Sequence, residues 1–159
     1  MNRWLAFACS ALIAQGASAA TACRLVNASS LAFGPYDVLT SVPNDSLVTI
    51  DVACDRQGGP ANVDVVMAID QGSNGTSINN RRMLHLGGSG DFLNYNLFRD
   101  VSRSSVWGFS SGVDTMTRQV HIANNSTATV SFTIYARIPA QQDVTIGSYR
   151  DTVQITVTP

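Results

Sequence analysis

The chain of 159 residues contains neither lysine nor glutamate, since all ten basic residues are arginine and all eleven acidic residues are aspartate. Lysine and glutamate are among the best charged helix formers, so their absence disfavours solvent-exposed helices. Valine, threonine, serine, asparagine and glycine are plentiful instead, a composition typical of strands and turns. The charges nearly balance and form no basic cluster, so nothing predicts nucleic-acid binding.

Long apolar runs are also scarce, and the one at the N-terminus is too short to span a bilayer. Arg3 precedes this run, residues 4–14, and the small residues Ala17-Ser18-Ala19 follow it. This layout predicts a secretory signal peptide over residues 1–19 and a mature domain over residues 20–159. No second apolar segment predicts a membrane span. We therefore expect the protein to be exported.

Cysteine is rare, and Cys9 lies within the predicted signal peptide. The two remaining cysteines, Cys23 and Cys54, predict one disulfide in an exported protein. Closing a loop of about 32 residues would stabilise the fold by roughly 3–4 kcal/mol. The spacing of these cysteines and of His85 and His121 matches no zinc-binding pattern, so the sequence predicts no metal site.

Strand patterns recur along the mature chain, with Gly-rich and Asn-rich turns between them. In residues 47–54 and 129–138, apolar and polar side chains alternate strictly, which indicates strands with one buried face. The other predicted strands are residues 62–69, 83–86, 93–98, 106–109, 120–122 and 149–158. No stretch shows a helical apolar period. We predict a single all-β domain, an immunoglobulin-like antiparallel β-sandwich.

Motifs of catalysis are missing from the sequence. It contains no nucleophile elbow, no metalloprotease helix motif and no Gly-rich loop between a strand and a helix. Both mature cysteines are assigned to the disulfide, and lone histidines in strands are ordinary strand residues more often than catalytic ones. We therefore predict no catalytic residue, no cofactor and no enzymatic activity.

Short motifs follow one another along the mature chain. They are Cys23, Leu31-Ala32-Phe33-Gly34-Pro35-Tyr36-Asp37, Ile50-Asp51-Val52-Ala53-Cys54, Arg81-Arg82-Met83, Leu93-Asn94-Tyr95-Asn96-Leu97-Phe98-Arg99-Asp100, Val106-Trp107-Gly108, Tyr135-Ala136-Arg137-Ile138-Pro139 and Gly147-Ser148-Tyr149-Arg150-Asp151-Thr152-Val153. This ordered set resembles the spore coat protein U domain family, which also makes up the subunits of archaic chaperone–usher pili. The resemblance covers essentially the whole mature chain, and the motifs occur in the family's order.

The resemblance implies a sandwich that lacks its final strand and therefore has an apolar groove. A periplasmic chaperone fills such a groove first, and a neighbouring subunit replaces it by strand addition at an outer-membrane usher. The end of the chain at Pro159, straight after its last strand, fits this expectation. The residues expected to line the groove are Leu25, Leu31, Val153, Ile155 and Val157.

The sequence departs from the family at the N-terminus of the predicted mature chain, where only residues 20–22 precede Cys23. We therefore expect a subunit that accepts a strand but does not donate one, as a fibre tip in adhesion or biofilm formation would. An alternative is a self-contained spore coat or extracellular matrix protein whose sandwich closes on its own strands. A carbohydrate-binding sandwich, with Trp107 as a contact residue, is a third hypothesis.

Overall fold

A computed structural model describes residues 20–27 and 30–159, so the predicted signal peptide, residues 1–19, lies outside the described residues. The described part consists of strands and connecting loops, and it holds no helix with the length and apolar character needed to cross a membrane. The strands are β1 (Thr21–Leu25), β2 (Asn44–Arg56), β3 (Ala61–Ile69), β4 (Arg81–His85), β5 (Phe92–Phe98), β6 (Met116–Ile122), β7 (Thr127–Ile138), β8 (Tyr149–Arg150) and β9 (Ile155–Thr158).

The strands form two antiparallel sheets that face each other. One has the order β1-β2-β7-β5-β4-β8 and the other the order β6-β3-β9. The longest pairing joins β2 to β7 from Asn44↔Ile138 to Asp55↔Thr127. Alternation along both strands turns the apolar face inward, where Ile50, Val52 and Phe132 are buried. The predicted all-β antiparallel sandwich is confirmed.

Trp107 lies at the centre of the core and is completely buried. Its indole Nε1–H donates to the Met67 carbonyl at 3.0 Å, and its ring lies 6.2 Å from that of Phe132. This contact joins the two sheets, because Met67 belongs to β3 and Phe132 to β7. The hydrogen bond satisfies the one polar atom of the indole, so the ring occupies the interior without an unpaired donor.

The predicted disulfide is present and joins β1 to β2. Cys23 and Cys54 are directly opposed in the register of these strands, and their sulfurs are bonded. Cys54 is completely buried on the core face of β2. The bond therefore fastens the first strand to the longest strand of the sandwich.

Two predicted strands differ in the structure. Residues 149–158, predicted as one strand, form β8, which pairs with β4, and β9, which pairs with β3. Residues 151–154 cross between these partners, although inward and outward side chains still alternate. Residues 106–109 form no strand: Val106 makes an isolated bridge to Phe98, and the Gly108 N–H turns to the Asp114 carbonyl at 2.9 Å.

Candidate functional site: an open groove between the sheets

A groove of about 1170 Å³ opens at one edge of the sandwich, between residues 30–38 and residues 144–155. Its floor is apolar and comes from the inner face of the larger sheet. The floor residues are Val48, Ile50, Met83, Leu93, Leu97, Ile134 and Ile138. Ile50, Leu93, Leu97, Ile134 and Ile138 are buried, whereas Val48 and Met83 are only partly covered. A further strand on the groove side would complete the cover of these two, because a sandwich core is closed by inner faces of both sheets.

One wall of the groove is the segment that follows β1. The last backbone bond to β2 is donated by the Val26 N–H to the Asp51 carbonyl at 2.9 Å. Beyond it, among the described residues, positions 31–36 make no backbone–backbone hydrogen bond. Side chains of β2 hold this wall instead: the Ser46 hydroxyl donates to the Ala32 carbonyl at 2.8 Å and the Asn44 amide donates to the Pro35 carbonyl at 2.9 Å.

The opposite wall is the stretch from residue 151 into β9, which lies at the edge of its sheet. On the β3 side, the Asp70 N–H donates to the Gln154 carbonyl at 3.1 Å, and the Gln154 N–H donates to Asp70 Oδ1 at 2.9 Å. Backbone groups of successive residues in a strand point to opposite sides. The N–H and C=O groups of Val153 and Ile155 therefore point to the free edge, while their half-buried side chains turn inward.

Arg81 supports this second wall from inside the protein, where it is completely buried. Its guanidinium donates to the carbonyls of Asp70 at 2.6 Å and Trp107 at 2.7 Å and to Asn96 Oδ1 at 2.8 Å. Burial lowers the pKa of Arg81, because the charged form loses hydration. Since Asp70 also binds Gln154 through its side chain and backbone, Arg81 fixes the residue on which the wall is docked.

Asp151 and Tyr95 join the wall to the floor. The Tyr95 hydroxyl donates to Asp151 Oδ2 at 2.7 Å, while Asn74 donates to Oδ1 through its side-chain amide at 2.9 Å. Burial, together with the hydrogen bond to Asp151, raises the pKa of Tyr95, so the phenol keeps its proton and remains a donor. Asp151 thus holds the crossing between β8 and β9 in place.

The structure brings together three of the five residues predicted for the groove: Leu31 lies in the first wall, and Val153 and Ile155 lie in the second. Leu25 and Val157 are not among the lining residues; both are half-buried and pack against the core. Sequence reasoning missed Phe33 and Tyr36 as lining residues and all of the floor. Alternation marked the floor strands as core but could not indicate that a groove opens beside them or that Val48 and Met83 are only partly covered.

The two histidines lie apart, in different local contacts. His85 is buried at the end of β4, where its Nδ1 accepts from the Ser89 N–H at 3.3 Å. His121 lies on the outer face of β6, with Nδ1 2.9 Å from Asn62 Oδ1. Within residues 20–27 and 30–159, no group of three or more His, Cys, Asp or Glu side chains is placed to hold a metal ion.

Comparison with known proteins agrees with this architecture. The chain is similar in fold to a chain in the crystal structure of the CsuC–CsuE chaperone–tip adhesion subunit pre-assembly complex from the archaic chaperone–usher Csu pili of Acinetobacter baumannii. The TM-score is 0.54 at 19% identity, covering 86% of this chain and 39% of that chain. The protein thus spans about two-fifths of that solved chain. No curated protein matches it significantly.

A family model, the Spore Coat Protein U domain, matches residues 8–156, and the chain therefore belongs to the Spore Coat Protein U domain family.

Proposed function

We propose that this chain is a non-enzymatic structural subunit whose groove receives an extended strand from a partner protein. The observation that carries the proposal is the groove itself, with an apolar floor and two walls whose backbone groups lack sheet partners on the groove side. An added strand would supply both missing parts, because its alternate side chains would cover the floor while its backbone paired with the edge of β9.

Both the burial of apolar side chains and the new backbone hydrogen bonds would favour such an insertion. Each apolar side chain buried in the groove contributes about 1.5–3 kcal/mol. Each hydrogen bond to the backbone groups of Val153 and Ile155 adds a net 0.5–1.5 kcal/mol, in round figures. An unfilled groove of this kind would instead favour aggregation, since an exposed sheet edge beside apolar surface is a template for pairing with other chains.

The partners we propose are a periplasmic chaperone, which fills the groove first, and a neighbouring subunit that replaces it at an outer-membrane usher. The solved structure with a similar fold is of a chaperone bound to a pilus tip subunit, which supports the choice of partner. The route implies export through the periplasm to the cell surface as part of a chaperone–usher fibre.

Within that fibre we propose that the chain accepts a strand and does not donate one, a position suited to a tip and to adhesion or biofilm formation. The residues just before Cys23 support this, because they already belong to the subunit's own sheet. Thr21 pairs with Arg56, and the Ala20 carbonyl accepts from the Gln57 N–H at 3.0 Å. A donor arm needs residues free of such pairing.

The test is the purified mature domain with and without a groove-filling partner. We expect the free domain to aggregate or to melt without cooperativity, and the chaperone-bound domain to remain soluble. Ile155→Asn places a polar amide in the groove and should abolish the complex. Thr156→Asn, on the exposed face of the same strand, is the matched control and should leave the complex intact.

A soluble, monomeric free domain with a cooperative melt would instead support the self-contained coat or matrix protein. The carbohydrate-binding hypothesis needs an accessible aromatic, and Trp107 cannot serve as one because it is completely buried. The proposed glycan contact at Trp107 is therefore dropped.

A further inference from the structure

The three methionines of residues 20–159 differ in how deeply they are buried. Met67 lies on β3 and is completely buried. Met116, opposite Met67 in the register of β3 and β6, is half-buried and lies outside the groove. Met83 is also half-buried, but it lines the groove. Met83 is therefore the methionine whose exposure depends on whether the groove is filled.

Met83 lies on β4 beside the place where the chain leaves the larger sheet. Opposite it on β5 is Leu93, which is buried. On the other side of β4, the pairing with β8 begins at Leu84↔Arg150, and from residue 151 the chain crosses towards β3. The Met83 side chain packs against the core and also borders the open groove, so solvent can enter beside it.

The thioether makes Met83 chemically different from the rest of the groove floor, whose other side chains are hydrocarbon. A peroxide converts methionine to methionine sulfoxide, because a lone pair of the sulfur attacks one peroxide oxygen. The S–O bond forms as the O–O bond breaks, and the other oxygen leaves as hydroxide, which takes up the proton of the attacked O–H group to give water. The sulfur loses two electrons and the peroxide gains them. The product carries a polar S–O group where an apolar sulfur stood.

We propose that Met83 is an oxidation site at which a peroxide controls strand acceptance: its sulfoxide prevents an empty subunit from receiving a strand, whereas a filled groove protects the thioether. This inference rests on the proposed function. Val48 and Met83 are the partly covered floor residues that an added strand would cover, so a sulfoxide at Met83 would face the apolar side chains of that strand. A polar group buried without a hydrogen-bond partner disfavours insertion.

The first measurement is the rate at which hydrogen peroxide oxidises each methionine with the groove filled and with it empty. The filled form is the complex with the periplasmic chaperone that is isolated with this chain, and the empty form is the domain just separated from that chaperone. Cleavage after arginine places Met67, Met83 and Met116 in different fragments, so mass spectrometry follows each one separately. We expect Met83 to be oxidised roughly tenfold faster in the empty form, Met116 at similar rates in both forms, and Met67 in neither.

The second measurement is rebinding of the chaperone by the oxidised empty domain, which we expect to be weaker by roughly tenfold or more. Met83→Leu keeps a similar volume without the sulfur, so it should rebind the chaperone equally well before and after peroxide treatment. Met116→Leu is the matched control and should lose rebinding on oxidation as wild type does. Treatment of oxidised wild type with methionine sulfoxide reductase should restore rebinding.

Equal oxidation of Met83 in the filled and empty forms would overturn the inference, as would oxidation of Met67 as fast as Met83, since the groove would then not control the reactivity. Rebinding of oxidised wild type within twofold of the untreated protein would overturn it too. If Ile155→Asn rebinds the chaperone as wild type does before any oxidation, the proposed function itself fails, whatever happens at Met83.

Discussion

Arg81 allows a quantitative test of how the groove wall is supported. It is a completely buried cation, and its nearest partners are neutral oxygens. The five N–H groups of its guanidinium make six hydrogen-bond contacts, at least one donor being shared, with the carbonyls of Ile69, Asp70, Ile78 and Trp107 and with the side chain of Asn96. Arg81→Met keeps much of the volume but removes every donor. Each buried acceptor left unpaired costs about 1–3 kcal/mol.

Part of that cost is offset, because methionine has no buried charge to desolvate and water can reach the outermost carbonyls. We therefore expect Arg81→Met to lower the free energy of unfolding by about 3–5 kcal/mol, which corresponds to two or three buried acceptors left unpaired. Arg82→Met is the matched control. Arg82 is partly exposed, stacks over the Phe92 ring and donates to the Asn74 carbonyl at 2.6 Å, so its loss should cost about 1 kcal/mol.

The assay is urea unfolding of the domain with a groove-filling peptide held in constant excess, so that the transition is cooperative, followed by the fluorescence of Trp107, the only tryptophan in residues 20–159. The slope of the transition should stay the same while its midpoint falls. If the midpoints of Arg81→Met and wild type agree within error, Arg81 does not organise the wall and the reasoning is refuted.

Three further changes test other parts of the fold. Cys54→Ser removes the cross-link over a sequence separation of 31 residues and should lower stability by about 3 kcal/mol and reduce export yield; unchanged melting and yield would refute this. Trp107→Ala empties the centre of the core and should cost about 3–5 kcal/mol in urea unfolding followed by far-UV circular dichroism, because this variant has no tryptophan in residues 20–159. A loss below about 1 kcal/mol would contradict the placement of Trp107. The third change is at Asp45, whose pKa is lowered mainly by its hydrogen bonds from Arg137. The stabilisation by this ion pair should be fully present above the unfolded-state pKa of about 3.9 and should be lost as the pH falls through the lower folded-state pKa. At neutral pH the free energy of unfolding of wild type should therefore exceed that of Asp45→Asn by at most about 1 kcal/mol, and in acid the two values should be equal. If wild type remains more stable than Asp45→Asn in acid, the contribution of Asp45 to stability is not electrostatic.

Sequence reasoning was most accurate where one face of a strand is buried along its whole length. β2 and β7 alternate strictly, and their predicted inward residues, such as Ile50 and Phe132, are buried. Alternation was misleading for residues 149–158. Alternation indicates which way the side chains point, and that direction does not change where the chain stops pairing with β4 and begins pairing with β3. A single alternating pattern therefore concealed two strands, β8 and β9.

The groove shows a second limit of the sequence. Val153 and Ile155 were predicted as wall residues from the resemblance, and Val157, in the same alternating phase, was predicted with them. In the structure Val157 is not among the residues that line the groove, although its side chain is half-buried against the core. Where a groove ends depends on contacts between strands distant in sequence, which a local pattern does not record.

Arg81 shows a third limit. Arginine is almost always exposed unless it is paired, so composition predicts a surface residue. Its burial follows from several carbonyls that converge from separate loops, and no local signal in the sequence indicates that convergence. The motif Arg81-Arg82-Met83 pointed to the position through the family resemblance but not to its role.

The central claim, that the free edge of β9 receives a partner strand, is tested most directly by backbone hydrogen exchange. The comparison is between the chaperone-bound domain and the domain just separated from its chaperone. We predict that the Val153 and Ile155 amides, which face the free edge, exchange at least tenfold more slowly when the groove is filled, while the Gln154 amide, already bonded to Asp70 at 2.9 Å, changes little. Equal exchange of Val153 and Ile155 in the two states would contradict strand addition at this edge.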